Sequence, residues 1–320
     1  MFTIFLVLTN SLSLQEQEKS FIKWMRKTNQ YFNKDDYHIR LGLFLANSQL
    51  VEESNHLSGR QFKIDMNRFA CYTPAEYKQL LGAKLNERTQ QVRSKIIVTR
   101  YLNSASIDWR DRGVVGSIRD QGNCGSCWAF SACQAMESVY AIRYGELPEF
   151  SPKNLVDCNT RGYGCDGSMP CTAIDWVTEM QNGKIMLEKD YPYVPVQSTC
   201  LFDETKAKGT FNYYLISNFD DEDQLASNVE SHGPMSVCID ASTTNFRLYS
   251  SGIFYDETCR SDYINHAVGC VGFGDVDGAE YWILKNSWGA DWGENGYIRL
   301  ARNKGNHCAI AYFAIAPILN

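Results

Sequence analysis

At 320 residues, 44% hydrophobic and 13% aromatic, the chain has the composition of a soluble globular protein with a sizeable core. Its net charge of −6 is unevenly placed: residues 1–102 carry 15 Lys and Arg against 9 Asp and Glu, whereas residues 103–320 carry 16 against 28. The basic part lacks a dense basic run and has an acidic partner in its own chain, which argues against nucleic acid. The leading apolar run is too short to span a membrane.

In chain order, residues 1–13 read as a short signal peptide, although no Lys or Arg precedes the apolar run and a buried N-terminal strand is the alternative. Asp36, Arg40, Phe44, Asn47, Val51 and Asn55 then recur at helical spacing, so all six share one stripe of a helix, with Asp36 and Arg40 placed to pair. An ordinary amphipathic helix would show the same stripe. Past residue 102, helical patterns run from Trp109 to about Asn212 and strand patterns follow from Phe211. Asp275-Val-Asp277-Gly has some flavour of a calcium loop, but lacks the remaining ligands and reads as a turn.

The densest motif is Gln121-Gly-Asn-Cys124-Gly-Ser-Cys127-Trp128-Ala-Phe-Ser131. Cys127 opens an apolar-periodic run that ends at Tyr144 before Gly145, the pattern of a helix with a glycine stop. A helix N-terminus favours thiolate over thiol, and the upstream Gln121 amide can face a developing oxyanion. A redox pair or half a zinc site would also use Cys124-x-x-Cys127, but no second metal-type cluster and no preceding βαβ pattern supports either.

A nucleophilic cysteine needs a base and a group that orients the base. Of the three downstream histidines, His232 lies in a Ser-His-Gly-Pro turn and His307 adjoins Cys308. His266 begins a strand pattern to Gly274, followed by a turn at 275–279 and a second strand, Glu280 to Asn286. Pairing residue 273 with about residue 280 puts residue 266 opposite about residue 287, so His266 and Asn286 become neighbours.

With these residues in place, the chain resembles the papain-like cysteine proteases, of the cathepsin-L-like subgroup, from about Ala105 to its C-terminus. Asn286-Ser-Trp288-Gly289-x-x-Trp292-Gly293-x-x-Gly296-Tyr297 resembles a second family signature, and the Cys127 and His266 segments match two others in order and spacing. The resemblance implies an α+β, two-lobed fold, a helical lobe (103–212) and an antiparallel β lobe (213–320) with the active site in the cleft. It implies Cys127 as nucleophile and His266 as general base and acid, a thiolate–imidazolium pair. Asn286 would be the orienter, Gln121 with the Cys127 N–H the oxyanion hole, and Trp288 the shield over the His266–Asn286 bond. The stripe at 36–55 is similar to the interrupted E-R-F-N-I-N motif of cathepsin-L-like propeptides, with Asp36 for Glu and Val51 for Ile. Asp65-x-Asn67-x-Phe69-x-Cys71 resembles the G-x-N-x-F-x-D motif that follows, with both ends changed. A helical inhibitory propeptide (14–102), released by cutting at Ser94 to Asn103, and a mature peptidase (103–320) are expected.

By the same resemblance, Cys124 pairs with Cys165, Cys158 with Cys200 and Cys259 with Cys308; a Cys133–Cys171 bridge stays open. Twelve cysteines suit an oxidising compartment, here the secretory pathway, a lysosome-like vesicle or the exterior, although no Asn-x-Ser/Thr sequon is present. The pocket for the residue two before the cut is expected from Met169, Pro170, Cys238, Ile264 and Ala267, with Phe313 at its floor, favouring Leu or Val. Gly167 and Ser168 would meet substrate backbone; Ser168 replaces a usual Gly, and its side chain is expected to crowd the next subsite. The implied protein is a monomeric cysteine endopeptidase acting on protein and peptide substrates through an acyl-enzyme. It needs no cofactor or metal, and is inhibited by its own propeptide and by cystatin-like proteins. A non-catalytic peptide-binding relative and a thiol–disulfide redox protein are the alternatives. Cys71, a neutral thiol where relatives carry an aspartate, shifts the expected acid trigger onto charge spread over both parts of the chain, a trigger that salt would also ease.

Overall fold

The structure, a computed structural model, describes residues 13–85, 95–96, 104–217 and 219–320. All of the expected signal peptide except Ser13, and most of the linker at 94–103, lie outside the described residues.

The propeptide begins with α1 (Leu14–Lys27), started by a capping box between Ser13 and Glu16, and α2 (Lys34–His56), whose Asn33 cap accepts from the Asp36 N–H. Phe21 and Trp24 of α1 pack on Phe44 of α2 with ring centroids 5.3 and 5.7 Å apart. Burying one such ring contributes about 1.5–3 kcal/mol. The predicted stripe holds the chain that follows it. Arg40 pairs with Asp36 at 2.9 Å and also forks onto Glu76 while donating to the Cys71 carbonyl. Asn47 donates to the Ala70 carbonyl and Asn55 to that of Ile64. Next come β1 (Phe62–Ile64) and α3 (Pro74–Leu80), the latter capped by Thr73 with Glu76 and opened by its proline.

After β2 (Lys95–Ile96) and β3 (Ile107–Asp108), the mature region presents α4 (Cys127–Tyr144), α5 (Pro152–Cys158), α6 (Pro170–Met180), β4 (Ile185–Met186) and β5 (Ala207–Lys208). Then follow β6 (Phe211–Ile216), α7 (Glu222–His232), β7 (Met235–Ile239), α8 (Thr244–Arg247), β8 (Tyr249–Phe254), β9 (His266–Val276), β10 (Ala279–Lys285), β11 (Tyr297–Ala301) and β12 (Phe313–Leu319). Among the described residues the main sheet runs β1-β8-β11-β10-β9-β7-β12-β6-β2, with β3 also on β9. The boundary expected at 212/213 falls inside β6. The start and stop expected for α4 hold: Gly145 takes a left-handed φ of 70° and closes the helix. The helix is buried over nearly its whole first three turns, so it behaves as a core helix, not a surface one.

The propeptide also lends an edge strand to the sheet, which the sequence reading did not foresee. β1 pairs antiparallel with β8, Phe62 opposite Gly252. Gly252 has a φ of +88°, and a Cβ there would lie 2.2 Å from the Gln61 carbonyl, so only glycine admits this close strand.

The β9–β10 hairpin forms with a tighter turn than expected, Asp277-Gly278, both at positive φ, as a two-residue turn requires. Phe273 faces Trp282 instead of residue 280, and a bulge after Ile283 shifts the register again. The three disulfides, Cys124–Cys165, Cys158–Cys200 and Cys259–Cys308, are those implied by the resemblance. Cys133 and Cys171 remain free and buried. No helix among the described residues is long and apolar enough to cross a membrane.

Candidate active site

Cys127 stands at the first turn of α4, His266 at the first residue of β9, and Asn286 directly after β10. His266 Nε2 and Asn286 Oδ1 are 2.8 Å apart, and the Ser287 N–H donates to the same oxygen at 2.9 Å. The imidazole is fully buried, and its Nδ1 has no partner among the described residues. Trp288 covers this pair with its ring 4.8 Å from that of His266, inside an aromatic cluster with Phe246 and Trp292. The thiol of Cys127 is met by the backbone N–H of Ala267, the neighbour of His266, by that of Trp128 on its own helix, and by those of Gly82 and Ala83 from the propeptide.

Those last two contacts belong to a segment that fills the cleft. Gln121 Nε2 donates to the Leu80 carbonyl at 2.8 Å and to the Cys124 carbonyl at 2.9 Å, while the Ser287 hydroxyl donates to Gln121 Oε1 at 2.7 Å. Ser168 N–H donates to the Gly82 carbonyl, Lys84 N–H to that of Ser168, and Ala83 N–H to that of Asn265. Ala83 packs into an apolar cluster that gathers Cys127, Met169, Cys238, Ile264, Ala267 and Phe313, together with Cys171, Ile174, Tyr214 and Ile216. Pro170, the buried first residue of α6, adjoins Met169. Gly167, at φ 111°, leaves room for the Gly82 carbonyl, which a Cβ would approach to 2.6 Å. In the substrate direction that the resemblance implies, the residue seated in that pocket precedes the attacked carbonyl. Here Ala83 follows Leu80, whose carbonyl sits on the Gln121 amide, so the segment runs backwards through the cleft.

Further up, Phe69 and Tyr77 stack on Trp288 at 5.3 and 5.7 Å, and Tyr77 donates to the Ala241 carbonyl. Asn67 donates to the Arg247 carbonyl, and Arg68 pairs with Asp120.

A segment that occupies the cleft in reverse, held down by its own domain, decides the reading. Residues 103–318 match the papain family cysteine protease domain, and residues 21–77 the cathepsin propeptide inhibitor domain.

The chain belongs to the papain family of cysteine proteases.

It is 35% identical over 326 residues to a protein named cathepsin L-like from Caenorhabditis elegans, covering 98% of this chain and 96% of that one. It is also 43% identical over 296 residues to cathepsin S of Bos taurus, covering 90% and 88%. The solved structure of digestive procathepsin L 3 from Tenebrio molitor larval midgut superposes with a TM-score of 0.87 at 34% identity, covering 96% of this chain and all of that one. The protein is therefore a papain-like cysteine endopeptidase in zymogen form, carrying its own inhibitory propeptide.

In this covered form the expected thiolate–imidazolium pair is not favoured. Burial pushes the Cys127 thiol up to about 11, against the opposing pull of the surrounding N–H groups, and pulls His266 down to about 4 despite its bond to Asn286. Desolvation outweighs the helix terminus at Cys127, where Gly82 and Ala83 of the propeptide close over the sulfur. Ser168 also departs from expectation. Its hydroxyl turns to the Thr172 hydroxyl at 2.7 Å, in space left by Gly162, and does not crowd the neighbouring subsite.

Several residues at the site had escaped the sequence reading. Ser287 clamps Gln121, Asn265 receives the Ala83 amide, Tyr193 donates to the Gln121 carbonyl, and Cys171 and Tyr214 extend the apolar pocket. Ser287 could have been suspected beside Asn286; the others carry no local signal.

Proposed function

We propose that Cys127 attacks the scissile carbonyl, that His266 removes and returns the proton, and that Asn286 holds the imidazole with Nδ1 left for the sulfur. Gln121 and the Cys127 N–H bind the oxyanion, and hydrolysis passes through an acyl-enzyme. The observation that carries this reading is the Leu80 carbonyl on the Gln121 amide, beside a thiol bounded by the Ala267, Gly82 and Ala83 amides. Once the segment leaves, water reaches both groups, their desolvation is relieved, and the ion pair becomes accessible.

The residue two before the cut enters the pocket of Met169, Pro170, Cys238, Ile264, Ala267 and Phe313. None of these side chains can neutralise a buried guanidinium, so Leu or Val is favoured and Arg is poor. Ser168 bonds substrate backbone as it bonds Gly82 and Lys84, and Gly167 leaves room for that backbone. The mature enzyme begins near residue 103, works as a monomer on proteins and peptides in the secretory pathway or a lysosome-like vesicle, and is open to cystatin-like inhibitors. Titration with an epoxide-type thiol protease inhibitor after acid activation tests the assignment: one labelled site per chain, at Cys127, is expected. Labelling at another cysteine with full loss of activity would refute it.

A further inference from the structure

Behind the His266–Asn286 pair lies a cavity of about 10 Å³, room for about one water molecule, bounded by Arg119, Ser131, Gln134, Lys285, Asn286 and Ser287. Two carboxamides border it. Asn286 is 3% exposed and Gln134 5% exposed, and neither Asn286 Nδ2 nor Gln134 Nε2 has a hydrogen-bond partner among the described residues. Gln134 follows Cys127 by two turns of α4, so both stand on one face of the helix. The amide lies against bare backbone: a Cβ on Gly269 of β9 would come within 1.8 Å of Gln134 Nε2. A polar side chain fitted so closely between core helix and sheet, with its donor left over, calls for an acceptor.

We propose that this cavity is the binding site of one water molecule that accepts from both Gln134 and Asn286, and that Gln134 is thereby a positioning residue for the catalytic pair. The inference rests on the reading of His266 and Asn286 given above. Asn286 Oδ1 serves His266 and the Ser287 N–H. Rotating the amide by half a turn would present Nδ2 to these donors. An acceptor held on the cavity side stabilises the orientation in which Oδ1 faces the imidazole, and Gln134 anchors that acceptor. Water suits the site better than an anion. Arg119 is already paired with Glu137 at 2.7 Å, and the same carboxylate acts on the Lys285 ammonium, so the positive charge beside the cavity already has its counter-ion.

The test is a double-mutant cycle in the acid-activated enzyme, with melting temperatures recorded for every variant. Gln134→Met keeps the volume and removes the donor. It is expected to lower kcat about three- to tenfold with KM unchanged within about twofold, and to cause no further loss in an Asn286→Ala background. Equal losses in both backgrounds would make Gln134 a packing residue and overturn the proposal. If Asn286→Ala alone leaves kcat unchanged, the catalytic assignment fails instead. A crystal structure of the inhibited mature enzyme decides the water separately, including where Gln134→Met does not fold. One oxygen within hydrogen-bond distance of both amides is expected, and its absence overturns the proposal. Replacing chloride by acetate at constant ionic strength is expected to leave kcat unchanged; loss of activity without chloride would show an ion site and overturn it.

Discussion

Cys127 occupies the first turn of a helix, whereas His266 opens β9 and Asn286 directly follows β10, two strands joined by the two-residue turn Asp277-Gly278. On the helical wall, local rules set the helix that carries the sulfur, an apolar period and a glycine stop, and one long-range tie, the Cys124–Cys165 disulfide, anchors its start. On the β wall, the imidazole is placed by pairing between strands, by Trp288 and by the amide of Asn286, all of them tertiary. The lesson is that the proposed nucleophile is located largely by its own segment and the proposed base by its neighbours. Damage to the first should be absolute, and damage to the second graded.

The largest effect should come from Cys127→Ala, which removes the proposed nucleophile: peptide cleavage should fall by at least about 10⁴-fold with the fold intact, and His266→Ala should be nearly as severe. Active-site-directed peptide substrates and far-UV circular dichroism read both; residual activity within tenfold of wild type in Cys127→Ala would break the comparison. Asn286→Ala removes one buried hydrogen bond of about 1–3 kcal/mol, so kcat should drop roughly 10- to 10²-fold. A loss equal to that of Cys127→Ala would mean that the β wall is as unforgiving as the helical one.

The pH response sharpens the same contrast. His266 is held at about 4 under the propeptide, below its ordinary 6.5, chiefly by burial. Where Cys127→Ala leaves no thiol to supply the proton, a depressed histidine value means that the opened form takes up a proton before the covered one does, so covering is favoured above pH 6.5 and weakens as pH falls towards 4. Asp120, although burial opposes ionisation, is held below its ordinary 3.8 by Arg68, so that ion pair lasts through this window and fails only below about pH 4. Glu76, held at about 2 chiefly by Arg40, likewise keeps its pair. In a Cys127→Ala zymogen, cleavage of the propeptide by added mature enzyme should rise between pH 6.5 and 4, and Cys127→Ala/His266→Gln should flatten that rise. An unchanged profile would shift the trigger elsewhere.

A smaller effect is expected at the pocket, which both walls share. Phe313→Ala should raise the ratio of kcat/KM for Phe over Leu two before the cut by about tenfold, because pocket size discriminates by about 1–3 kcal/mol. An unchanged ratio would remove Phe313 from the pocket floor. The smallest belongs to Arg68→Ala. Arg68–Asp120 is the ion pair found between propeptide and mature region among the described residues, and both side chains are partly exposed. Its loss, or its screening by salt, should ease processing by about fivefold at most. A larger salt effect would point to the long-range attraction between the basic and acidic parts, acting beside the apolar docking of Phe62, Phe69 and Tyr77.

By itself the sequence determined the helix at Cys127–Tyr144, the pairing of Asp36 with Arg40, the hairpin that brings His266 to Asn286, and, through resemblance, the family and the disulfides. Each of these is written in periodicity, in turn and cap residues, or in runs of rare residues, which act over a few positions. Only the tertiary structure decided the hairpin's register, because a bulge after Ile283 depends on what the strands pack against. It alone decided that β1 of the propeptide joins the sheet, that Leu80 to Lys84 run backwards through the cleft, and that the Ser168 hydroxyl turns to Thr172. It also decided the charge state of the pair in the zymogen. A helix terminus can be read from a few residues, but desolvation is set by whatever covers the site, and over Cys127 that cover comes from Gly82 and Ala83, 45 and 44 residues earlier in the chain.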